Sequence, residues 1–169
     1  MDVPTREVID TVMAAWAIAS APWKAEAVAR DDVSDMCILA TRACASVMQA
    51  DFGLNVAVLP VDLYAWNEDT SEYEPKVEHP EGSTAVRDGA YVGHVVAIVQ
   101  EDDRQCIVDA ELGIVAPFNN QLAVGEVEGQ RYLYRPRAEH ADFSNTDAWT
   151  KRHQAAAALR SALSTGDHQ

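Results

Sequence analysis

"GHVVAIVQEDDRQCIVDAELGIV", residues 93–115, decides the fold. Its first run, from His94 to Val99, is apolar on both faces and reads as a central strand. A polar break, "QEDDRQ", separates it from a second apolar run beginning at Cys106, so the pair reads as an antiparallel hairpin. Side chains alternate along a strand, which puts His94, Val96 and Ile98 on one face, and Ile107, Asp109 and Glu111 on one face. A turn centred between Asp102 and Asp103 pairs positions whose numbers sum to 205 and sets His94 opposite Glu111, with Asp109 as its diagonal neighbour. A turn one residue earlier gives 203 and sets His94 directly opposite Asp109. In both registers the imidazole and the carboxylate share a face, whereas a three-residue loop would separate them. Asp109 lies between Val108 and Ala110, where a carboxylate is expensive unless it meets a partner. His94 is the partner at hand.

Working outward, residues 5–20 carry Val8, Val12, Ala15, Trp16 and Ala19 at three- and four-residue steps and read as a helix that Pro22 ends or kinks. A second helix is expected over 34–51, with Ser34 as N-cap, Asp35 in the first turn and Gly53 as stop signal. Residues 54–66 alternate as a strand interrupted at Pro60. The acidic stretch 67–90 reads as a long surface loop with room for a short strand. Residues 125–136 read as a hairpin with Gly129 in its turn, and 146–164 as a final helix with Trp149, Ala156, Leu159 and Leu163 along one side. The expected fold is α+β in a single domain over 1–169, with N-terminal helices packed on a mainly antiparallel sheet and a C-terminal helix closing the chain.

Net charge is −14, from 27 acids against 13 Lys and Arg. That excess argues against nucleic-acid and anionic-membrane surfaces, which would repel it. No glycine-rich phosphate loop is present, so nucleotide chemistry is not expected. "TVMAAWAIASA", residues 11–21, looks like a signal-peptide apolar run, but the stretch before it is acidic and the run is too short to span a bilayer. Three cysteines without a CxxC pair fit reduced thiols, and the cytoplasm is the expected compartment.

Two of those cysteines, Cys37 and Cys44, lie seven residues apart on the second helix and share a face roughly 10 Å apart, too far to bridge. Cys44 is mid-helix among small apolar residues and reads as a small hydrophobe. Cys37 falls in the first turn, where unpaired N–H groups and the positive end of the helix dipole favour a thiolate. A thiol nucleophile needs a base and a group to orient that base. Cys37, His94 and Asp109 supply these types in that chain order, with His79 as a rival base in the acidic loop. A metal site built from His94, Cys106 and Asp109 fails on face parity in the 205 register, and neither metal nor cofactor is expected.

The stretches "SDMCILATRA", "GHVVAIV" and "CIVDAE", with "FGLNVAV" after the helix, resemble the transglutaminase-like branch of the papain-type cysteine enzymes over roughly residues 34–112. The fifteen-residue step from His94 to Asp109 is also similar to that of arylamine N-acetyltransferases, whose glycine-rich stretch before the cysteine is missing here. NlpC-type cell-wall peptidases are similar in pattern, though they usually carry an Asp directly before the cysteine, where this chain has Met36. The resemblance implies a transglutaminase-like, papain-type architecture with Cys37 as nucleophile, His94 as general base and acid, and Asp109 as orienter of His94. It implies acyl transfer through a thioester on a peptide or amide substrate, with the Cys37 backbone N–H as first oxyanion donor. The competing expectation is a non-catalytic acidic interaction or inhibitor protein. Nothing in the sequence sets an oligomeric state.

Overall fold

A computed structural model describes residues 3–29, 36–77, 86–87, 90–91, 94–119, 122–137 and 150–166. Three helices come first: α1 (Val3–Ala19), α2 (Ala21–Ala29) and α3 (Met36–Phe52). Nine strands follow among these residues: β1 (Asn55–Asn67), β2 (Glu72–Val77), β3 (Val86–Arg87), β4 (Ala90–Tyr91), β5 (His94–Glu101), β6 (Arg104–Asp109), β7 (Ile114–Asn119), β8 (Leu122–Val127) and β9 (Gln130–Pro136). Helix α4 (Arg152–Gly166) ends the described chain. The Ser34 N-cap, Asp35, His79 and Trp149 all fall outside the described residues.

The sheet does not stay open. Strands β1, β5, β6, β7, β8 and β9 pair antiparallel in that order, and β9 pairs back onto β1, closing a six-stranded barrel. Val61 sits opposite both His94 and Pro136, so β5 and β9 occupy the two edges of β1. The expected transglutaminase-like arrangement, helices packed on a mainly antiparallel sheet, is therefore overturned. Its physical error is the assumption of a sheet with two ends: β1 runs for 13 residues, pairing with β5 along its first half and with β9 from Val61 to Ala65. Part of the expected acidic loop is strand as well, because β2 pairs with β1 around the turn Asn67–Ser71.

Pro60 does not break β1. Its carbonyl accepts from the Arg137 N–H at 3.0 Å, on the β9 side, and both polar positions of a strand residue point the same way. The missing N–H thus faces β9 at the outermost hydrogen bond of that ladder, and the ladder to β5 is intact.

The barrel has two apolar faces at work. Its interior is filled by Val61, Leu63, Val96, Ile98, Ile107 and Tyr134 with their neighbours, as a narrow barrel requires. The opposite face of β5 and β6 (Val95, Ala97, Val99, Cys106 and Val108) packs against α1, α3 and α4. This is why the run 95–99 is apolar throughout: one face lines the barrel and the other seats the helices. The β5–β6 ladder has the 205 register, with Ile98 opposite Ile107 and Gln100 opposite Gln105, around an Asp102–Asp103 turn in which Asp102 has φ of 54°. Gly129 occupies the β8–β9 turn with φ of 79°.

Strand β8 approaches β7 closely at Gly125. A Cβ there would overlap the Cγ2 of Ile114 and come within 3.4 Å of Ala116 Cβ. Ile114 is buried and its branch methyl has no flexible stem to swing away. Gly125→Ala should lower unfolding stability by about 1–3 kcal/mol, measured by urea denaturation; unchanged stability would show that the barrel interior yields at this point.

Candidate functional site

Helix α3 is tied to the barrel wall by a buried polar contact, Thr41 Oγ1 donating to the Val95 carbonyl at 3.1 Å. Residues four apart share a helix face. Cys37, one turn before Thr41, is thereby set against His94, the residue before Val95. Thus the first turn of α3 meets the beginning of β5, and the end of β6 brings Asp109 to the same place.

His94 Nε2 lies 2.8 Å from Asp109 Oδ2, with both side chains buried. The Tyr134 hydroxyl donates to the same oxygen at 2.7 Å. The other carboxylate oxygen, Oδ1, accepts the backbone N–H groups of Glu111 and Leu112, each at 3.1 Å. A turn closed by the Gly113 N–H on the Asp109 carbonyl holds those two amides in place, with Gly113 at φ of 75°. Asp109 is 0% exposed, and its acceptor sites are filled by four donors. That answers the cost of a carboxylate inside an apolar strand.

With Nε2 engaged, Nδ1 is the ring nitrogen left for other partners. Cys37 hydrogen-bonds to His94, and Glu111 Oε2 lies 3.7 Å from Nδ1. The Cys37 sulfur, a His94 nitrogen and a Glu111 carboxylate oxygen all stand within 4.8 Å of one another, a donor set able to hold a metal ion. Cys37 and His94 are each 3% exposed, while the Glu111 side chain is 32% exposed and is the member that reaches solvent.

The electrostatics follow from this geometry. Burial disfavours the His94 cation, but Asp109, through charge and hydrogen bond, and then Cys37 outweigh it, so the imidazole titrates well above its ordinary 6.5. Burial, the largest influence, leaves the Cys37 thiol raised above its ordinary value, with His94 and the Val95 backbone amide opposing and Glu111 adding to it. Glu111 is raised by burial, with His94 opposing, Asp109 adding and Lys24 opposing. Tyr134 is raised by burial and by the adjacent Asp109, so its hydroxyl stays a donor. Cys44 and Cys106 differ in kind from Cys37: burial raises them to about 12 and about 11, and no imidazole offsets it.

The sequence-derived trio Cys37, His94 and Asp109 is thus brought together, and the set His94, Cys106 and Asp109 is not, because Cys106 faces the helices. Sequence reasoning missed Tyr134, although Tyr132 and Tyr134 alternate in "QRYLYRP" and a buried tyrosine hydroxyl needs a partner. It also gave Glu111 no part beyond facing His94. Trp16 is core, 1% exposed and stacked on Trp23 at 6.1 Å between ring centres. Cavities of about 410 and 280 Å³ lie away from the site, the first beside Arg6 and Phe118, the second beside Arg42 and His153. Among the described residues no helix is long and apolar enough to cross a membrane.

A raised histidine stabilises the fold through its protonation fully below its unfolded value of about 6.5, and that stability is lost as pH climbs through the higher folded value. The stability gap between the parent and His94→Gln should therefore be widest at pH 6 and narrow towards pH 9. Tyr134→Phe, which removes one donor from a buried carboxylate, should cost about 1–3 kcal/mol at both pH values. Urea unfolding at the two pH values measures both; a His94→Gln gap independent of pH would contradict the assignment.

Comparison of the chain with known protein families, with characterised proteins and with solved structures gave no match in any of the three.

Proposed function

We propose that the chain is a cysteine-dependent acyl-transfer enzyme in which Cys37 is the nucleophile, His94 moves the proton and Asp109 orients His94. The observation that carries this reading is the continuous chain from Cys37 through His94 to an Asp109 carboxylate fixed by Tyr134 and two backbone amides. A hydrogen bond from nucleophile to base and another from base to orienter is the arrangement such chemistry needs.

In the first step, taken by the form in which the His94 ring is neutral, the Cys37 proton passes to His94 Nδ1, and Sγ forms a bond to a substrate carbonyl carbon while the carbonyl π pair moves to oxygen. The backbone N–H of Cys37, in the first turn of α3, is the donor this reading assigns to that oxyanion. Collapse expels the leaving amine or alkoxide, which takes the proton from His94 and leaves a thioester. Water or an amine then gives its proton to His94 and attacks the thioester, and Cys37 departs as the thiol when that proton returns. Water as acceptor makes the enzyme a peptidase or amidase; an amine makes it a transamidase.

The substrate is a peptide or other amide rather than a nucleic acid, since a chain of net charge −14 repels a polyanion. Cys37 is nearly covered, so a substrate reaches Sγ by way of the Glu111 side or by displacing its neighbours.

Iodoacetamide labelling in the presence of a chelator, resolved by site with mass spectrometry, tests the assignment. Cys37 should react well ahead of Cys44 and Cys106, and His94→Gln should slow it at least about tenfold while leaving the other two unchanged. p-Nitrophenyl acetate should leave a transient acetyl group on Cys37. Equal reactivity of the three thiols, or a Cys37 rate indifferent to His94→Gln, would overturn the reading.

A further inference from the structure

Glu111 is the group at the site that thiol chemistry leaves without a task. A carboxylate near Sγ opposes both the thiolate and the oxyanion that acyl transfer generates, since like charges at short range in a partly dry site repel strongly. Its backbone N–H is fully used in holding Asp109, so residue 111 could serve that purpose with any side chain. Its carboxylate nevertheless stands 3.7 Å from His94 Nδ1 and shares a 4.8 Å neighbourhood with Cys37 Sγ.

We propose that Cys37, His94 and Glu111 form a three-ligand site for a divalent metal ion of zinc's chemical class, with Asp109 as the outer group that orients the histidine. The inference shares residues with the acyl-transfer reading but does not rest on it.

A tetrahedral zinc ion with ligand bonds of about 2.0–2.3 Å holds its donors roughly 3.3–3.8 Å apart. The Nδ1–Glu111 pair, at 3.7 Å, is close to that separation, and the part-exposed Glu111 has the freedom to close the rest. One sulfur, one nitrogen and one oxygen donor suit zinc or cobalt; calcium and magnesium take oxygen sets.

The surroundings of His94 suit a metal ligand. A ligating imidazole commonly donates its other N–H to a carboxylate, which fixes the tautomer and turns the remaining lone pair to the ion. Here Nε2 meets Asp109 Oδ2, which Tyr134 also holds, leaving Nδ1 directed to Cys37 and Glu111. A dication also offsets the negative charge that a coordinating Cys37 thiolate, Glu111 and Asp109 would concentrate around one histidine. Three protein ligands leave a fourth position for water or a small ligand. Coordination releases the Cys37 proton to solvent and ties its sulfur to the ion, so the loaded site withholds the nucleophile and metal removal restores it.

The test uses the whole chain, stripped with a chelator, dialysed, and titrated with Zn²⁺ against a chromogenic competitor. One equivalent should bind to the parent, with affinity at least tenfold lower for Glu111→Gln, a part-exposed change that leaves the barrel intact. Co²⁺ should give a thiolate-to-metal charge-transfer band that is missing from Cys37→Ser, and bound Zn²⁺ should block alkylation of Cys37 until chelator is added. Equal uptake by the parent and both variants would mean binding to surface carboxylates and would overturn the proposal, as would the absence of a stoichiometric equivalent or of the band. The two readings fail separately. A reactive Cys37 without metal binding removes the metal site alone, and a bound metal with a sluggish, His94-independent Cys37 after chelation removes the acyl-transfer reading alone.

Discussion

A carboxylate buried at the end of a barrel strand has to be held from several sides, and in this chain Asp109 is held from three parts of the sequence. His94 comes from β5, Tyr134 from β9, and the amides of Glu111 and Leu112 from the turn that leaves β6. Each donor is delivered by a different feature of the fold, so the carboxylate ties the closing of the barrel to the arrangement of the site. Losing any one donor leaves a buried acceptor short of a partner, at a cost comparable to a good part of a small domain's stability. The same contact sets the chemistry: with Nε2 spoken for, His94 presents Nδ1 towards Cys37.

The two faces of the β5–β6 hairpin divide the remaining work. Val96, Ile98 and Ile107 fill the barrel, and Val95, Val99 and Val108 seat the helices. Helix α3 therefore has no freedom to slide along β5 without unpacking its buried face, and Thr41 fixes it to the Val95 carbonyl. Placement of Cys37 against His94 is a consequence of that packing rather than of any loop.

What could be read from the sequence was what local pattern carries. The alternation of "GHVVAIV" and "CIVDAE" put His94 and Asp109 on one face, and the Asp102–Asp103 turn gives one of the two registers considered. Helices α1 and α3 follow from apolar spacing and stop signals, and Gly129 from its turn. The barrel was not legible, because closure rests on pairing Val61 with Pro136, and strand alternation says which side a residue faces but not which distant strand lies beside it. Pro60 misled for a related reason: its cost depends on which ladder its nitrogen faces, and that is set by where β9 stops. Tyr134 and Glu111 stayed hidden because their roles appear only when β9 and the turn after β6 converge on Asp109.

The most direct test of this account is the nitrogen-15 spectrum of the His94 ring, recorded with chelator present across neutral and alkaline pH. The account requires a ring that stays protonated on Nε2, facing Asp109, and becomes neutral only well above pH 6.5. A ring that titrates near 6.5, or whose neutral form carries its proton on Nδ1, would mean that Asp109 does not hold His94 and that the site is not organised as described.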